Sequence, residues 1–290
     1  DEVALMPESF VNQATGRLSV DGSKMWFNCN PEAPLHWFKL QWIDRAKEKG
    51  LLLLHFTMDD NNSLSEEIKA RYRSMYAGVF YMRFILGLWA VAEGLVYSMF
   101  GEGNRYDDDT RPVSMLSTST RCIAVDYGTT NPCVFLDIRD DGQDVWIENE
   151  WRWDSKSAEA QRMAIPNMTD AQYADAMAEF MGADPADQCM IVVDPSAKSF
   201  ITELRQRGFY VKEGDNDVLD GIRETATLIT RKKLHVHERC KGLLNEFHSY
   251  VWDEKAAQRG EEKPVKMQDH GMDAMRYYVH TVLPDWRYTA

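Results

Sequence analysis

The sequence is short of positive charge, of paired cysteines and of long apolar runs, and each shortage narrows the functions open to it. Lys and Arg number 33 against 46 Asp and Glu in 290 residues, a formal net charge of −13, whereas phosphate-binding surfaces usually come with a basic balance. The five cysteines, Cys29, Cys122, Cys133, Cys189 and Cys240, are odd in number and form no Cys-x-x-Cys pair. That argues against a disulfide framework and fits a reducing compartment. His235 and His237 lie near Cys240 but lack a fourth ligand at zinc spacing, so the stretch reads as a decorated strand end. The most apolar segment, VFYMRFILGLWAVAEGLVYSMF at 79–100, is broken by Arg83 and Glu93. It holds no uninterrupted run of the roughly 18 apolar residues a membrane span needs, and reads as buried helix. The chain opens on Asp-Glu-Val, without the basic and apolar regions of a signal peptide.

What is present is enough hydrophobic residue, 44%, for a real core. The acid is unevenly spread: residues 121–194 carry 5 basic and 15 acidic side chains, residues 195–290 carry 16 and 15. Acidic clusters of this kind can await a cation. Residues 101–120, GEGNRYDDDTRPVSMLSTST, are polar and aperiodic and read as a linker between two domains. Before it, SKMWFNCNP (23–31) and LLLLHFT (51–57) read as buried strands, and 65–75 as a helix capped by Ser63 or Ser65 and ended by Gly78. After it come strands at 121–126, 133–138 and 144–152, a helix at 169–181, and a short apolar strand at 189–194. A helix capped by Ser196 and closed by Gly208 follows. Then come a helix through Val218–Ile229, a strand near Leu234, a helix with Leu243, Leu244 and Phe247, and a last helix from about His270. Antiparallel strands followed by alternating helix and strand indicate an α/β layer fold.

Three carboxylates stand out by position. Asp126 and Asp194 each end an apolar strand, where a side chain emerges at the sheet edge, and Asp273 lies in the first turn of the last helix, on one face with His270. Carboxylates gathered at one place repel unless a cation lies between them, and divalent metals with hard oxygen ligands resolve that conflict. Two such ions can hydrolyse a phosphodiester. Taken singly, each aspartate is as well explained as a turn former or a helix-start charge. The motif CIAVDYGTTNPCVFLD (122–137) also suits the first phosphate hairpin of actin-like and chaperone ATPases, with Gly128 permitting the close turn in either case. Those ATPases need a second glycine-rich hairpin, and VVDPSAKSF has no glycine pair.

VDYGTTNPCVFLD, IVVDPSAKSFITELRQRGF and PVKMQDHGMDAMRYY, in this order and at these separations, resemble the nuclease domain of the terminase large subunits of tailed bacteriophages. The resemblance covers the chain from about residue 121 and implies a ribonuclease H-like mixed sheet flanked by helices. It makes Asp126, Asp194 and Asp273 the catalytic metal ligands, with His270 a further candidate and Asp269 part of the same motif. The opening DEVALMPESFVNQATGRLSV resembles the end of a Walker B strand in the motor ATPase, with Asp1 magnesium-associated and Glu2 the base. FNCNPEAPLHWFK, containing Asn30, resembles the coupling segment, and 72–100 resembles the lid. No G-x-x-x-x-G-K-[ST] loop occurs in the chain, so no ATP turnover is expected of it.

The resulting expectation is a P-loop ATPase remnant at 1–100, a linker at 101–120 and a nuclease domain at 121–290. The nuclease would cut concatemeric double-stranded DNA with two Mg2+ or Mn2+ ions, and ATP would serve only a full-length subunit. Lys198, Arg231, Lys232, Lys233 and Lys266 are the DNA-contact candidates. By the resemblance, the partners are a small terminase subunit, the portal and the procapsid, in a ring-shaped motor in the host bacterial cytoplasm, with no membrane association and a monomeric isolated chain. The charged stretch 249–267 reads equally as a hairpin beside the site or a solvated loop. The alternatives are an actin-like ATPase and a ribonuclease H-like integrase or resolvase using the same carboxylates.

Overall fold

The computed structural model describes residues 1–112, 115, 119–128, 131–163, 167–182 and 189–283. The chain divides into two compact units: unit 1 is Asp1–Val96 with Val251–Val265, and unit 2 is Tyr97–Tyr250 with Lys266–Ala290. Among the described residues no helix is long and apolar enough to cross a membrane.

In unit 1, α1 (Glu8–Thr15), α2 (Glu66–Met75) and α3 (Gly78–Phe84) are accompanied by short helical turns at Lys39–Ile43 and Met58–Asp60 and otherwise irregular chain. Ser65 caps α2 as expected, its hydroxyl accepting from the Ile68 N–H at 3.3 Å. A small core gathers Val3, Val11 and Phe38 with Phe27 and Trp42 at its edge. The Arg83 guanidinium, 2% exposed, donates to Glu262 at 2.5 and 2.9 Å and to the Ala90 carbonyl at 2.6 Å, with Glu32 3.3 Å away. It thereby ties 32, 90 and the returning segment 251–265 together.

Unit 1 departs from its sequence expectations in several places. Neither 23–31 nor 51–57 is a strand: no ladder receives them among the described residues, and Leu52 and Phe56 stand 77% and 72% exposed. The helix expected over 79–100 stops at Phe84, because Gly87 and Gly94 take φ of +66° and +68°, outside the helical region. Helix α2 ends at Met75 as expected, but Gly78 opens α3 instead of closing α2. The stretch 249–267 is mostly neither expected form: 251–265 groups with unit 1 and holds one helical turn, Glu254–Ala257, and isolated bridges from Val251 to Leu95 and from Trp252 to Pro264.

Unit 2 is built on β1 (Arg105–Tyr106), β2 (Thr120–Asp126), β3 (Cys133–Asp140), β4 (Val145–Trp153), β5 (Met190–Val193), β6 (Tyr210–Glu213) and β7 (Leu234–His237). They lie in the order β1-β7-β4-β3-β2-β5-β6. The β2–β3–β4 meander is antiparallel, and β5, β6, β7 and β1 join in parallel to their neighbours. Every strand but β3 therefore runs the same way.

Between the strands come α4 (Ala158–Met163), α5 (Asp170–Met181), α6 (Lys198–Gln206) and α7 (Val218–Thr230), and after the last strand α8 (Lys241–Phe247) and α9 (His270–Val282). Successive strand residues face opposite sides. Ile123, Val125, Phe135, Ile191 and Val193 meet Tyr173 and Met177 of α5 and Phe200 and Leu204 of α6. The other face is covered by α9, which packs on β2, β3 and β5 with α7 and α8 beside it. Coverage on both sides explains why β2 and β5 read as unbroken apolar runs. The linker expectation fails at Arg105–Tyr106, which pair with Val236–His237 at the sheet edge. Of the rest of that stretch, 113–114 and 116–118 lie outside the described residues, as do Thr129 and Thr130 of the turn after β2. Strand β6 escapes sequence reading because Val211 is its one buried residue.

Candidate active site

The register of the sheet assembles the site. Ala124 pairs with Val192 and Val125 with Val193, so Asp126, the last residue of β2, and Asp194, the first residue past β5, stand side by side, and the Asp194 N–H donates to the Val125 carbonyl at 3.1 Å. By alternation Asp126 shares the face of Ala124, the face covered by α9. On its other side Asp126 pairs with Val134 and Val134 with Arg152, which puts Arg152 in the same row. The first turn of α9 lies over this edge and supplies His270 and Asp273. A cavity of about 930 Å³ opens there, lined by Asp126, Asp194, Asp269, His270 and Asp273, with Lys266, Arg152 and Glu246 on its walls.

Each carboxylate already has a partner. Asp126, 8% exposed, is 2.8 Å from His270 Nδ1. Burial above all, with the charges of Asp273 and Asp194 adding, pushes the Asp126 carboxyl up to about 6 against the pull of His270. Burial would lower the His270 imidazole, but its hydrogen bond to Asp126 and the surrounding acids raise it, favouring the charged ring. Asp194 accepts from the Ser196 N–H and hydroxyl, both at 2.8 Å, an Asx turn. Ser196 thus braces Asp194 and does not cap α6, whose N-cap, Ala197, offers no side-chain bond. Asp273 accepts from Lys266 Nζ at 2.7 Å and from Arg276 Nη2 at 3.1 Å.

Arg276 is 1% exposed and also donates to the Asp217 carbonyl and Asn216. Gly221 makes room for it: a Cβ there would stand 2.5 Å from Arg276 Cγ. Gly128 is needed for a similar reason, since its Cβ would stand 2.5 Å from the Asn131 carbonyl oxygen.

Among the described residues no three His, Cys, Asp or Glu side chains are arranged, as they stand, to hold a metal ion. The donors nonetheless suit one in kind. They are carboxylates, the hard oxygen ligands that Mg2+ and Mn2+ take. Burial, with the acidic neighbours adding, disfavours the charged form of Asp126, and buried Asp269 Oδ2 accepts no hydrogen bond. Metal binding would exchange the present partners of these groups for the ion.

Of the other candidates, Lys198 stays at the carboxylate end of the sheet, since its partner Glu213 pairs with Val193, whereas the basic run does not. Arg231, Lys232 and Lys233 precede β7, whose Leu234 pairs with Val145 at the start of β4, so they sit at the sheet edge opposite Asp126. Lys232 donates to Asn104 and Lys233 pairs with Asp144. Lys198 pairs with Glu213. In unit 1, Asp1, Glu2 and Asn30 are exposed; the N–H of Glu2 donates to the Asn28 side chain at 3.0 Å and that of Val3 to the Asn28 carbonyl at 2.9 Å. Sequence reading missed Arg152, Glu150 and Glu246. Arg152 is held by Glu150 and Glu246, each at 2.7 Å, and Glu246, pushed up to about 7 by burial against the pull of Arg152, also accepts from the Met272 N–H. The available signal was an acid on the apolar face of α8, beside Leu243 and Phe247.

No family profile and no curated protein matches the chain. Among solved structures, it is similar to the large terminase of a thermophilic bacteriophage in complex with ATP-γ-S. That match has 48% identity, covers 97% of this chain and 69% of that chain, and has a TM-score of 0.87. Another crystal structure of the same terminase matches at 48% identity over 98% and 69%, with a TM-score of 0.88. The P22 large terminase nuclease domain shares the fold at 18% identity, over 64% of this chain and 91% of that one, with a TM-score of 0.50. The α/β fold of unit 2 is the expected ribonuclease H-like one.

Proposed function

The chain belongs to the bacteriophage large terminases, and from that membership we propose that unit 2 is a metal-dependent endonuclease that cuts concatemeric double-stranded DNA during genome packaging. The observation that carries this reading is the row Asp194, Asp126, Arg152 along one sheet edge, with Asp273 of α9 over it and an open polar cavity between. Asp126, Asp194 and Asp273 would hold the metal, with Asp269 as a further oxygen donor. Bound there, Mg2+ or Mn2+, as a pair, would polarise the phosphate and supply an activated water at neutral pH.

The side chains of the site do the rest. His270 fixes the orientation of Asp126 and offsets its charge. Arg276 fixes Asp273 from the buried side. Arg152, pinned by Glu150 and Glu246, offers the cavity a guanidinium already oriented for a phosphate oxygen. Among the described residues the lining suits a sugar-phosphate backbone and presents no element shaped to read base edges, so cleavage with little sequence preference is expected. In the assembled motor the subunit would form a ring with the portal and procapsid, served by a small terminase subunit, in the host cytoplasm. Without a phosphate-binding Gly-Lys loop, this chain is expected to turn over no ATP.

The test is supercoiled plasmid incubated with the protein and Mg2+, Mn2+ or chelator, with Asp126→Asn alongside. Nicking and linearisation that need metal and vanish in the variant support the reading. Equal cutting by Asp126→Asn, or cutting in chelator, would sink it.

A further inference from the structure

Resting on the metal-site reading above, we propose that Lys266 is a displaceable internal counter-cation, whose ammonium stands in for metal charge at Asp273 and Asp269 and withdraws when a divalent ion binds. Its Nζ is 2.7 Å from Asp273 Oδ2 and 3.3 Å from Asp269 Oδ2. The second of these oxygens accepts no hydrogen bond, and both aspartates are buried, at 7% and 4% exposure. Two buried carboxylates one helical turn apart are costly without a cation.

The two cations on Asp273 differ in a way that assigns their roles. Arg276 is buried and held by Asn216 and the Asp217 carbonyl as well, so its charge is a fixed part of the fold. Lys266 is 58% exposed along its side chain, on a flexible four-carbon stem that can swing into solvent. It reaches back through Gln268, a non-glycine residue at φ +52°, so the loop holds a disfavoured backbone conformation while the lysine is docked. An ammonium is a point charge with hydrogen-bond donors, and a divalent ion offers the same oxygens twice the charge. The two compete for one place, the oxygens of Asp273 and Asp269 that Lys266 now faces.

The experiment is calorimetric Mn2+ titration of the full chain, wild type, Lys266→Met and Lys266→Arg, with melting curves in chelator and in Mn2+. Removing the competitor should tighten Mn2+ binding in Lys266→Met by about tenfold. The same variant should melt lower than wild type in chelator and regain the loss in Mn2+, while Lys266→Arg stays close to wild type. Unchanged or weaker Mn2+ binding by Lys266→Met would overturn the inference and leave the metal site standing. A wild type that binds no Mn2+ would remove the metal-site reading and the inference with it. Should Lys266→Met fail to fold, the wild-type protein with 13C-methylated lysines decides: the Lys266 resonance should move on Mg2+ saturation, and a resonance that stays in place contradicts displacement.

Discussion

The two units handle the same kind of sequence differently. Both contain short apolar runs bounded by turn residues, yet IVV at 191–193 lies between β2 and β6 and is fully buried, whereas LLLL at 51–54 joins no strand ladder among the described residues and stands largely exposed. The difference teaches that an apolar run is only an offer to form a strand; a neighbour with free backbone groups and a covering helix accepts it. Unit 2 is held by a two-faced sheet, and unit 1 by an aromatic cluster and the buried Arg83 hub.

Four comparisons sharpen that contrast, in falling order of effect. Asp194→Asn or Asp273→Asn should lower metal-dependent DNA cleavage on the order of 10³-fold or more, the scale for one member of a group that acts as a unit. Plasmid nicking rates measure it, and unit 1 should keep its protease resistance throughout. Arg83→Met strands Glu262 and Glu32 and should destabilise unit 1 by about 3–5 kcal/mol. Hydrogen exchange should show it as faster exchange in 78–96 and 251–265, and equal exchange there would contradict the hub.

The third comparison tests burial directly. Ile191→Ala should cost about 2–5 kcal/mol in denaturant unfolding, while Leu53→Ala should stay within about 0.5 kcal/mol. Equal costs would mean that 51–57 is covered in solution. The fourth effect has the opposite sign. In metal-free protein the Asp126 carboxyl rises from 3.8 to about 6 on folding, so the folded form binds that proton more tightly. The stability this contributes is fully present below about pH 4 and is lost as pH rises through 6. Asp126→Asn should therefore be more stable than wild type above pH 6 in chelator, by up to about 3 kcal/mol, with the gain fading toward pH 4. A variant less stable at pH 8 would show that the charged carboxylate is stabilised there.

Much of unit 2 was legible because its elements announce themselves locally. The strands ending at Asp126 and Asp194 are apolar and stop at turn residues, and α5 carries the Thr169–Gln172 capping box. The carboxylates were legible for the same reason: each occupies the end of a strand or the first turn of a helix. Arg152 was not, since only the pairing Asp126–Val134–Arg152 brings it into the row. Nor was the partnering of Lys266 with Asp269 and Asp273, which depends on how the loop through Gln268 folds back. The basic run 231–233 looked suitable for DNA by composition, but strand direction puts it at the far edge. In unit 1, 79–100 misled because apolar content outvoted Gly87 and Gly94.

The central claim is that Asp126, Asp194 and Asp273 form one metal site, and anomalous diffraction from crystals soaked in Mn2+ tests it most directly. The account predicts manganese peaks in the cavity between β2, β5 and the start of α9, within ligand distance of all three carboxylates and absent in Asp126→Asn. A cavity without manganese at saturating concentration, or manganese bound only away from these three residues, would contradict it.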